Sequence, residues 1–328
     1  MSENSYYLGV DVGSVSTNLV LTDEDGNVAH KLYLRTGGQP INAINHGLRK
    51  LASGLGGGVK IGGVGTTGSG RQLAGIILGA DVVKNEITSH AVAAQKLVPD
   101  VRTILEIGGQ DSKIILLRNG MVVDFAMNTV CAAGTGSFLD RQASRLGIPI
   151  EEFGAYALRS NSPVRIAGRC AVFAESDMIH KQQTGHSMED IIGGLCEALV
   201  RNYLNNLAKG KDINSPVVFQ GGVAANVGIV NAFEKALGAR VFIPEHFEVM
   251  GAYGAALIAM KKMSGKGNAS SFRGFDIPEH EYGAKSIECS GCSNMCEVIE
   301  ILRDRRVEAR WGDRCGKWAV ENTLSIEN

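Results

Sequence analysis

Hydrophobic and polar residues alternate near the start of the chain in a way that predicts β-strands. The strands are 6–13, 14–23 and the segment NVAHKLYLRT, with DEDG as the turn between the last two. A period of two is the pattern of a strand with one buried face. A helix is predicted over INAINHGLRKLASGL, and VKIGGVGTTGSGR is a strand that ends in a glycine-rich loop.

The same order of elements returns further along the chain. Residues 101–117 are predicted to form a strand, a glycine turn and a strand, and RNGMVVDFAMN adds another turn and strand. A helix over 188–209 carries an apolar stripe, and SPVVFQ is a strand that enters a glycine turn before the helix VGIVNAFEKAL. The repetition predicts an α/β protein with a duplicated unit.

Three segments follow from this pattern. Residues 1–98 form a first subdomain, completed by a small-residue helix at about 249–263, and residues 99–248 form a second. The composition of MSGKGNASS is that of a linker. Beyond it, residues 272–328 are a short charged segment with four cysteines.

Composition narrows the class of protein. The 328 residues carry a formal net charge of −1, which argues against nucleic acid as the main partner. The chain has no apolar run of the length that a membrane helix needs, and its N-terminus enters a strand without a signal peptide. We therefore expect a cytoplasmic protein whose seven cysteines are metal ligands, catalytic groups or core residues rather than disulfide partners.

Three glycine turns carry polar residues at strand ends. A glycine turn with exposed amide N–H groups binds phosphate oxygens, and a carboxylate at a strand end can hold Mg²⁺, usually through water. The carboxylates are Asp11 and Asp111. The accompanying residues are Gly13, Ser14 and Thr17 in the first turn, Gly108, Gly109 and Gln110 in the second, and Gly221, Gly222, Val223 and Asn226 in the third.

Each turn alone is equally well an ordinary tight turn, but the three together are more specific. In this order they resemble the phosphate 1, phosphate 2 and adenosine motifs of the superfamily of actin, Hsp70 and sugar-kinase ATPases. The resemblance covers roughly residues 6–262. It implies two RNase H-like subdomains that bind ATP or ADP with Mg²⁺ in the cleft between them.

Other polar residues near these turns have two interpretations. Gln110 is placed to orient the attacking water. The loop at 65–71 is a candidate for the cleft wall, and Glu86 with His90 is either a functional pair or a surface pair one helical turn apart. We interpret Lys113 as a solvated lysine rather than a phosphate ligand.

Two cysteines precede predicted helices. Cys131 comes before the small residues of NTVCAAGTGSFLD, and Cys170 stands at the start of the helical run in GRCAVFAESDMI. The positive end of a helix lowers the pKa of a thiol and stabilises an anionic ligand. One chain offers only half of a four-cysteine cluster site, which a twofold dimer would complete. The alternative is a pair of buried or redox-idle thiols, and Cys196 is interpreted as a core residue.

The two cysteine motifs, between the second and third glycine turns, resemble those of the activator ATPases of 2-hydroxyacyl-CoA dehydratases. The wider family includes benzoyl-CoA reductase ATPase subunits and reductases of double-cubane cluster proteins. The resemblance implies a homodimer with one [4Fe–4S] cluster bound by Cys131 and Cys170 of each subunit. It also implies ATP-driven transfer of a low-potential electron from ferredoxin or flavodoxin to a partner iron–sulfur enzyme.

The C-terminal segment departs from the short activators. Cys289, Cys292, Cys296 and Cys315 have the spacing C-x₂-C-x₃-C-x₁₈-C, which fits a structural zinc site or a second cluster. Four free thiols are the alternative. This segment favours a related reductase over a dedicated dehydratase activator.

Two rival functions remain open at this point. A small-molecule kinase of the same superfamily would need a catalytic base and an acceptor pocket, and would not need Cys131 and Cys170. A non-enzymatic ATP switch would need a peptide-binding module, for which residues 272–328 are too short and too rich in cysteine.

Overall fold

The computed structural model describes residues 5–55, 59–168, 170–264, 269–275 and 282–318. The chain divides into two compact units, the first Met1–Glu86 with Gly251–Asn328 and the second Ile87–Met250. The division falls at residue 86 rather than at 98, so the helix that follows it belongs to the second unit. The cysteine-rich segment groups with the first unit.

Strands and helices follow one another along most of the described chain. The strands are β1 Ser5–Val12, β2 Ser16–Thr22, β3 Val28–Arg35, β4 Lys60–Thr67, β5 Val82–Val83, β6 Thr103–Ile107, β7 Ser112–Arg118, β8 Met121–Asn128, β9 Val217–Gln220, β10 Val241–Phe242, β11 Tyr282–Glu288, β12 Glu297–Arg303 and β13 Arg306–Trp311. The helices are α1 Pro40–Gly54, α2 Arg71–Leu78, α3 Glu86–Leu97, α4 Gly136–Leu146, α5 Ile150–Leu158, α6 Ala171–Gln183, α7 Met188–Tyr203, α8 Val227–Leu237 and α9 Met250–Met263.

The two large sheets have the same topology. The first has the strand order β3-β2-β1-β4-β5, and the second has β8-β7-β6-β9-β10. In each, three antiparallel strands are extended by two parallel ones. The predicted duplication of an α/β unit is therefore confirmed.

The first unit is organised around β1, its central strand. Leu8 and Val10 point to the same face of the sheet and are fully buried in a core that also contains apolar residues of α1 and α2. A Cβ atom on Gly9 would lie 1.9 Å from the Ala252 carbonyl oxygen, so α9 packs directly on the β1 backbone. Only glycine allows that approach. The edge strand β3 instead alternates between partly exposed and exposed residues.

The second unit has its core between its sheet and the helices α4 to α8. Phe138, Phe153 and Phe219 are at most 2% exposed in this core. Helix α7 runs through it and ends at Tyr203, where a π-helical turn, Leu204–Ala208, follows. The helix predicted over 188–209 is therefore α7 with that turn added.

Several elements were not predicted. Helices α2 and α5 are short, with 8 and 9 residues, and their apolar patterns were too brief to stand out. The C-terminal segment contains a three-stranded antiparallel sheet, in the order β11-β12-β13. Across the described residues, the helices all fall short of the length and apolar character that crossing a bilayer requires.

Candidate functional site

The first glycine turn joins β1 to β2 and is stabilised by hydrogen bonds to neighbouring residues. The Gly13 amide donates to the Ser16 carbonyl at 2.8 Å, and the Thr36 hydroxyl donates to the Gly13 carbonyl at 2.9 Å. The hydroxyls of Thr17 and Thr36 lie 2.9 Å apart. Thr17 is fully buried, which indicates that it braces the turn, whereas Ser14 is exposed on it.

The Asp11 carboxylate is enclosed by two glycines. A Cβ atom on Gly68 would lie 2.4 Å from Asp11 Oδ1, and one on Gly251 would lie 2.0 Å from Oδ2. Gly251 is in the first turn of α9, where the helix dipole favours a negative charge. The position of Asp11 was anticipated, but the need for Gly251 was not.

The second glycine turn joins β6 to β7. The Gly108 amide donates to the Asp111 carbonyl at 3.0 Å, and a Cβ atom on Gly108 would lie 2.8 Å from Asp111 Oδ1. Gln110 is exposed, and Asp111 is partly exposed. The turn therefore presents an amide side chain and a carboxylate at the end of a buried strand, as predicted from its sequence.

Lys113 is not solvated, and that interpretation was wrong. It is 2% exposed, and its ammonium lies 2.7 Å from Asp111 Oδ2 and 3.0 Å from Glu106 Oε2. Glu106 and Lys113 are directly opposite each other on β6 and β7. The Lys113 ammonium thus neutralises the buried carboxylate of Glu106 and also forms an ion pair with the partly exposed carboxylate of Asp111.

His90 is buried beside this network, so the surface-pair interpretation was also wrong. Burial lowers its pKa to about 3, with the charge of Lys113 acting in the same direction. Its Nδ1 lies 2.7 Å from the Gln220 amide nitrogen. Since that amide only donates, Nδ1 accepts and the neutral ring carries its proton on Nε2.

The third glycine turn follows β9. Gly221 has φ of 89°, and a Cβ atom there would lie 2.4 Å from the Ile107 carbonyl oxygen and 2.8 Å from Glu106 Oε1. A glycine is required on both grounds. Gly222 is exposed, while Val223 is buried within the 3-10 turn Gly222–Ala225.

Asn226 caps α8, a role that was not predicted for it. Its Oδ1 accepts from the amides of Gly228 and Ile229 at 3.0 and 3.1 Å. Within the described residues its buried Nδ2 has no hydrogen-bond partner, and neither has the Oε1 of Gln220. Buried polar atoms of this kind are normally satisfied by a ligand or an ordered water.

The backbone of Cys131 is fixed by hydrogen bonds to the side chain of Asn128. Asn128 receives a hydrogen bond from the Cys131 amide at 2.9 Å and donates one to the Cys131 carbonyl at 2.8 Å. The cysteine precedes the 3-10 turn Ala132–Gly134, and α4 begins only at Gly136. The turn of small residues predicted between Cys131 and the following helix is therefore present.

Cys170 stands directly at the N-terminus of α6, as expected. Its carbonyl accepts from the Ala174 amide at 3.0 Å, and its thiol is partly exposed, like that of Cys131. Arg169, beside it, lies outside the described residues. Three large apolar side chains next to the two cysteines are exposed, namely Val130, Val172 and Phe173 at 94%, 62% and 65%.

Asn202 on α7 contacts both cysteine loops. Its amide donates to the Gly168 carbonyl, and a Cβ atom on Gly134 would lie 2.8 Å from its Oδ1. A Cβ atom on Gly168 would lie 2.8 Å from the Ala198 carbonyl oxygen, one turn earlier. The two loops that carry the cysteines therefore pack on the same stretch of α7.

The four C-terminal cysteines are not gathered into a metal site. Within the described residues no group of three or more His, Cys, Asp or Glu side chains is arranged to hold a metal ion. Cys289 and Cys296 are paired through a backbone hydrogen bond of 2.8 Å at the end of the β11–β12 hairpin. Cys292 is exposed in the loop, and Cys315 is exposed 3.7 Å from Asp313.

Two thiols differ from the rest in their electrostatics. The amide of Gly291 and the indole of Trp318 donate to Cys289 Sγ, at 3.5 and 3.3 Å, and lower the pKa of that thiol. Burial raises the pKa of Cys196 to about 12. Cys196 is 1% exposed and is the core residue that was predicted.

The two units of equivalent topology have the actin-like ATPase fold. A model of the BadF/BadG/BcrA/BcrD ATPase family matches residues 8–259, and the chain belongs to this family. The C-terminal sheet lies beyond the matched region.

Two relatives with known roles cover most of the chain. It is 34% identical to the (R)-2-hydroxyglutaryl-CoA dehydratase activating ATPase of Acidaminococcus fermentans, over 78% of this chain and 98% of the relative. It is also 34% identical to the 2-hydroxyisocaproyl-CoA dehydratase activator of Clostridioides difficile, over 77% of this chain and 94% of the relative.

Solved structures of these kinds of protein are similar to the chain. The Clostridium difficile 2-hydroxyisocaproyl-CoA dehydratase activator with bound ADPNP superimposes with a TM-score of 0.71 at 32% identity, over 79% of this chain and 95% of that one. Component A of the Acidaminococcus fermentans (R)-2-hydroxyglutaryl-CoA dehydratase gives the same TM-score at 34% identity, over 79% and 98%. The expected fold and family are confirmed.

Proposed function

We propose that the protein is an ATP-dependent activator that reduces a partner iron–sulfur enzyme by one electron. The observation that carries the proposal is the arrangement of the second unit. There, a glycine turn of the phosphate-binding type and two partly exposed cysteines are joined through α4 and α7. The names of the relatives, dehydratase activators, support a partner of the same class.

ATP is the proposed substrate of the three turns. Gly13 and Ser14 contribute to phosphate binding in the first unit, as do Gly108 and Gly109 in the second, while Thr17 braces the first turn. The nucleoside is assigned to Gly221, Gly222, Val223 and the side-chain Nδ2 of Asn226. Asp11 and Asp111 would hold Mg²⁺, which neutralises developing charge on the phosphates, and Gln110 would orient the attacking water.

Cys131 and Cys170 are the proposed ligands of a [4Fe–4S] cluster that supplies the transferred electron. Both thiols are partly exposed, and both loops are fixed by partly buried hydrogen bonds of Asn128 and Asn202, so the ligands are available without unfolding the unit. One chain provides two thiolates, and four are needed. A twofold homodimer supplies the other two. Ferredoxin or flavodoxin is the proposed donor.

ATP is needed because of the size of the electron-transfer step. For one electron, about 59 mV corresponds to about 1.4 kcal/mol, so an uphill step of about 300 mV costs about 7 kcal/mol. Hydrolysis can provide that free energy only if the nucleotide state changes the surroundings of Cys131 and Cys170. Such a change needs a structural link between the phosphate turn and the cysteine loops.

The first test is anaerobic purification with iron, acid-labile sulfide and ATP-hydrolysis measurements. The parent protein should contain about four irons per dimer, and Cys131→Ser or Cys170→Ser should lose them. Asp11→Ala and Asp111→Ala should lose ATP hydrolysis and keep the iron. Cys196→Ser is the matched control, since its thiol is in the core. Full iron content in Cys131→Ser, or none in the parent, would contradict the proposal and favour a kinase.

A further inference from the structure

The first turn of α4 fixes the carbonyl groups of the second glycine turn. The Gly136 amide donates to the Gly108 carbonyl at 2.9 Å, and the Ser137 amide donates to the Gly109 carbonyl at 2.8 Å. The Ser137 hydroxyl donates to the same Gly109 oxygen at 2.5 Å. Two consecutive peptide groups of the turn are therefore oriented by one helix start.

This orientation determines where the amide N–H groups of the turn point. In a planar trans peptide the N–H points opposite to the C=O. The Gly108 carbonyl shares its peptide group with the Gly109 amide, and the Gly109 carbonyl shares its own with the Gln110 amide. With both carbonyls turned towards α4, both N–H groups face away from it. Successive N–H groups on one side of a glycine turn are the arrangement that binds phosphate oxygens.

The same helix start is tied to Cys131 by short-range hydrogen bonds. Thr135, which precedes α4, donates from its amide and its hydroxyl to the Ala132 carbonyl, at 3.1 and 2.9 Å. The Gly134 amide donates to the Cys131 carbonyl at 3.4 Å, and Asn128 holds the same carbonyl. The segment from Cys131 to Ser137 thus has hydrogen bonds across its whole length.

We propose that Ser137 is a positioning residue that couples phosphate binding at the Gly109 and Gln110 amides to the Cys131 loop. A phosphate that accepts from these amides polarises their carbonyls, which strengthens the bonds that Ser137 donates on the other side. By reciprocity, an ordered Cys131 loop strengthens phosphate binding. The inference deepens the proposed function and rests on its assignment of ATP to this turn.

Hydrogen–deuterium exchange on the full chain tests this coupling, because it reports on residues 131–140 whether or not a cluster is bound. Mg²⁺ with the non-hydrolysable analogue ADPNP should slow exchange in this segment of the parent protein. Ser137→Ala should lose most of that protection and bind ADPNP about fivefold more weakly, the effect of one neutral hydrogen bond. Ser137→Thr, which keeps the hydroxyl, should restore both.

Ser144→Ala is the matched control, because Ser144 is exposed on the same helix away from the turn. It should behave as the parent does. The coupling is refuted if ADPNP binds but leaves exchange over 131–140 unchanged in the parent, or if Ser137→Ala is protected like the parent. If ADPNP does not bind the parent protein at all, the proposed ATP site fails first, and the inference fails with it.

Discussion

Replacing Lys113 by methionine removes the centre of the buried ion-pair network under the second glycine turn. The ammonium lies 3.0 Å from Glu106 Oε2, and the side chains of Lys113 and Glu106 are 3% and 6% exposed. Methionine keeps most of the apolar stem but leaves Glu106 without its ammonium partner. The Tyr203 hydroxyl still has the Lys113 carbonyl to donate to, so the backbone contact is unaffected.

The expected cost follows from the burial of the pair. Removing one partner of a buried ion pair typically costs about 3–5 kcal/mol, because the remaining charge is left uncompensated. Asp111 adds less, since its side chain is 33% exposed and water screens its charge. We expect Lys113→Met to lower the free energy of unfolding by about 3–5 kcal/mol. ATP turnover should fall at least about tenfold, because Asp111 loses the donor that orients it.

The double variant Glu106→Gln/Lys113→Met separates these two effects. It removes the uncompensated charge, so most of the lost stability, about 2–3 kcal/mol, should return. ATP turnover should stay low, because Asp111 still lacks its ammonium partner. Urea denaturation followed by circular dichroism measures the first quantity, and phosphate release measures the second.

Lys235→Met is the control for this experiment, because Lys235 is an exposed lysine on α8 of the same unit. It should change the unfolding free energy by less than about 0.5 kcal/mol. The reasoning is refuted if Lys113→Met unfolds within about 1 kcal/mol of the parent and hydrolyses ATP at the parent rate.

Two further predictions concern a histidine and the C-terminal cysteines. The pKa of His90 is about 3 in the fold against 6.5 for a free histidine, so below about pH 6.5 the unfolded chain binds a proton that the native one does not. Native stability should therefore fall towards pH 5 by about 2 kcal/mol more in the parent than in His90→Gln, measured by urea denaturation. The spacing of the C-terminal cysteines predicts a metal site that the metal itself would draw together, so Cys289→Ser with Cys296→Ser should lose one zinc or iron site per chain and keep ATP hydrolysis. Unchanged metal content would show free thiols.

Much of the fold could be predicted because it rests on local patterns. The two strand–turn–strand units show in the alternation of apolar residues and in glycines that follow strand ends, so the duplication was visible. The ion pair of Lys113 with Glu106 could also have been predicted from the sequence. A hairpin with the four-residue loop 108–111 places Glu106 opposite Lys113, and opposite charges on a buried face predict a pair.

Contacts that depend on distant parts of the chain could not be predicted in the same way. Gly251 is required because the Asp11 carboxylate occupies the space where a Cβ would be, some 240 positions earlier in the sequence. Asn202 is an unremarkable polar residue in an amphipathic helix until the loops of Gly134 and Gly168 are placed against it. Neither has a sequence signature, because the partner that explains each one is supplied only by folding.

Helix α7 connects Cys170 to the second glycine turn, in addition to the connection of Cys131 through α4. Tyr203 donates to the Lys113 carbonyl, and Lys113 holds Asp111. The preceding residue, Asn202, donates to the Gly168 carbonyl in the loop that leads to Cys170. Because the two side chains are consecutive on one helix, a shift of the β7 backbone that moves Tyr203 also moves the support of that loop. The two proposed cluster ligands are thus connected to the same glycine turn through α4 and α7, so the nucleotide binding proposed for this turn would act on both.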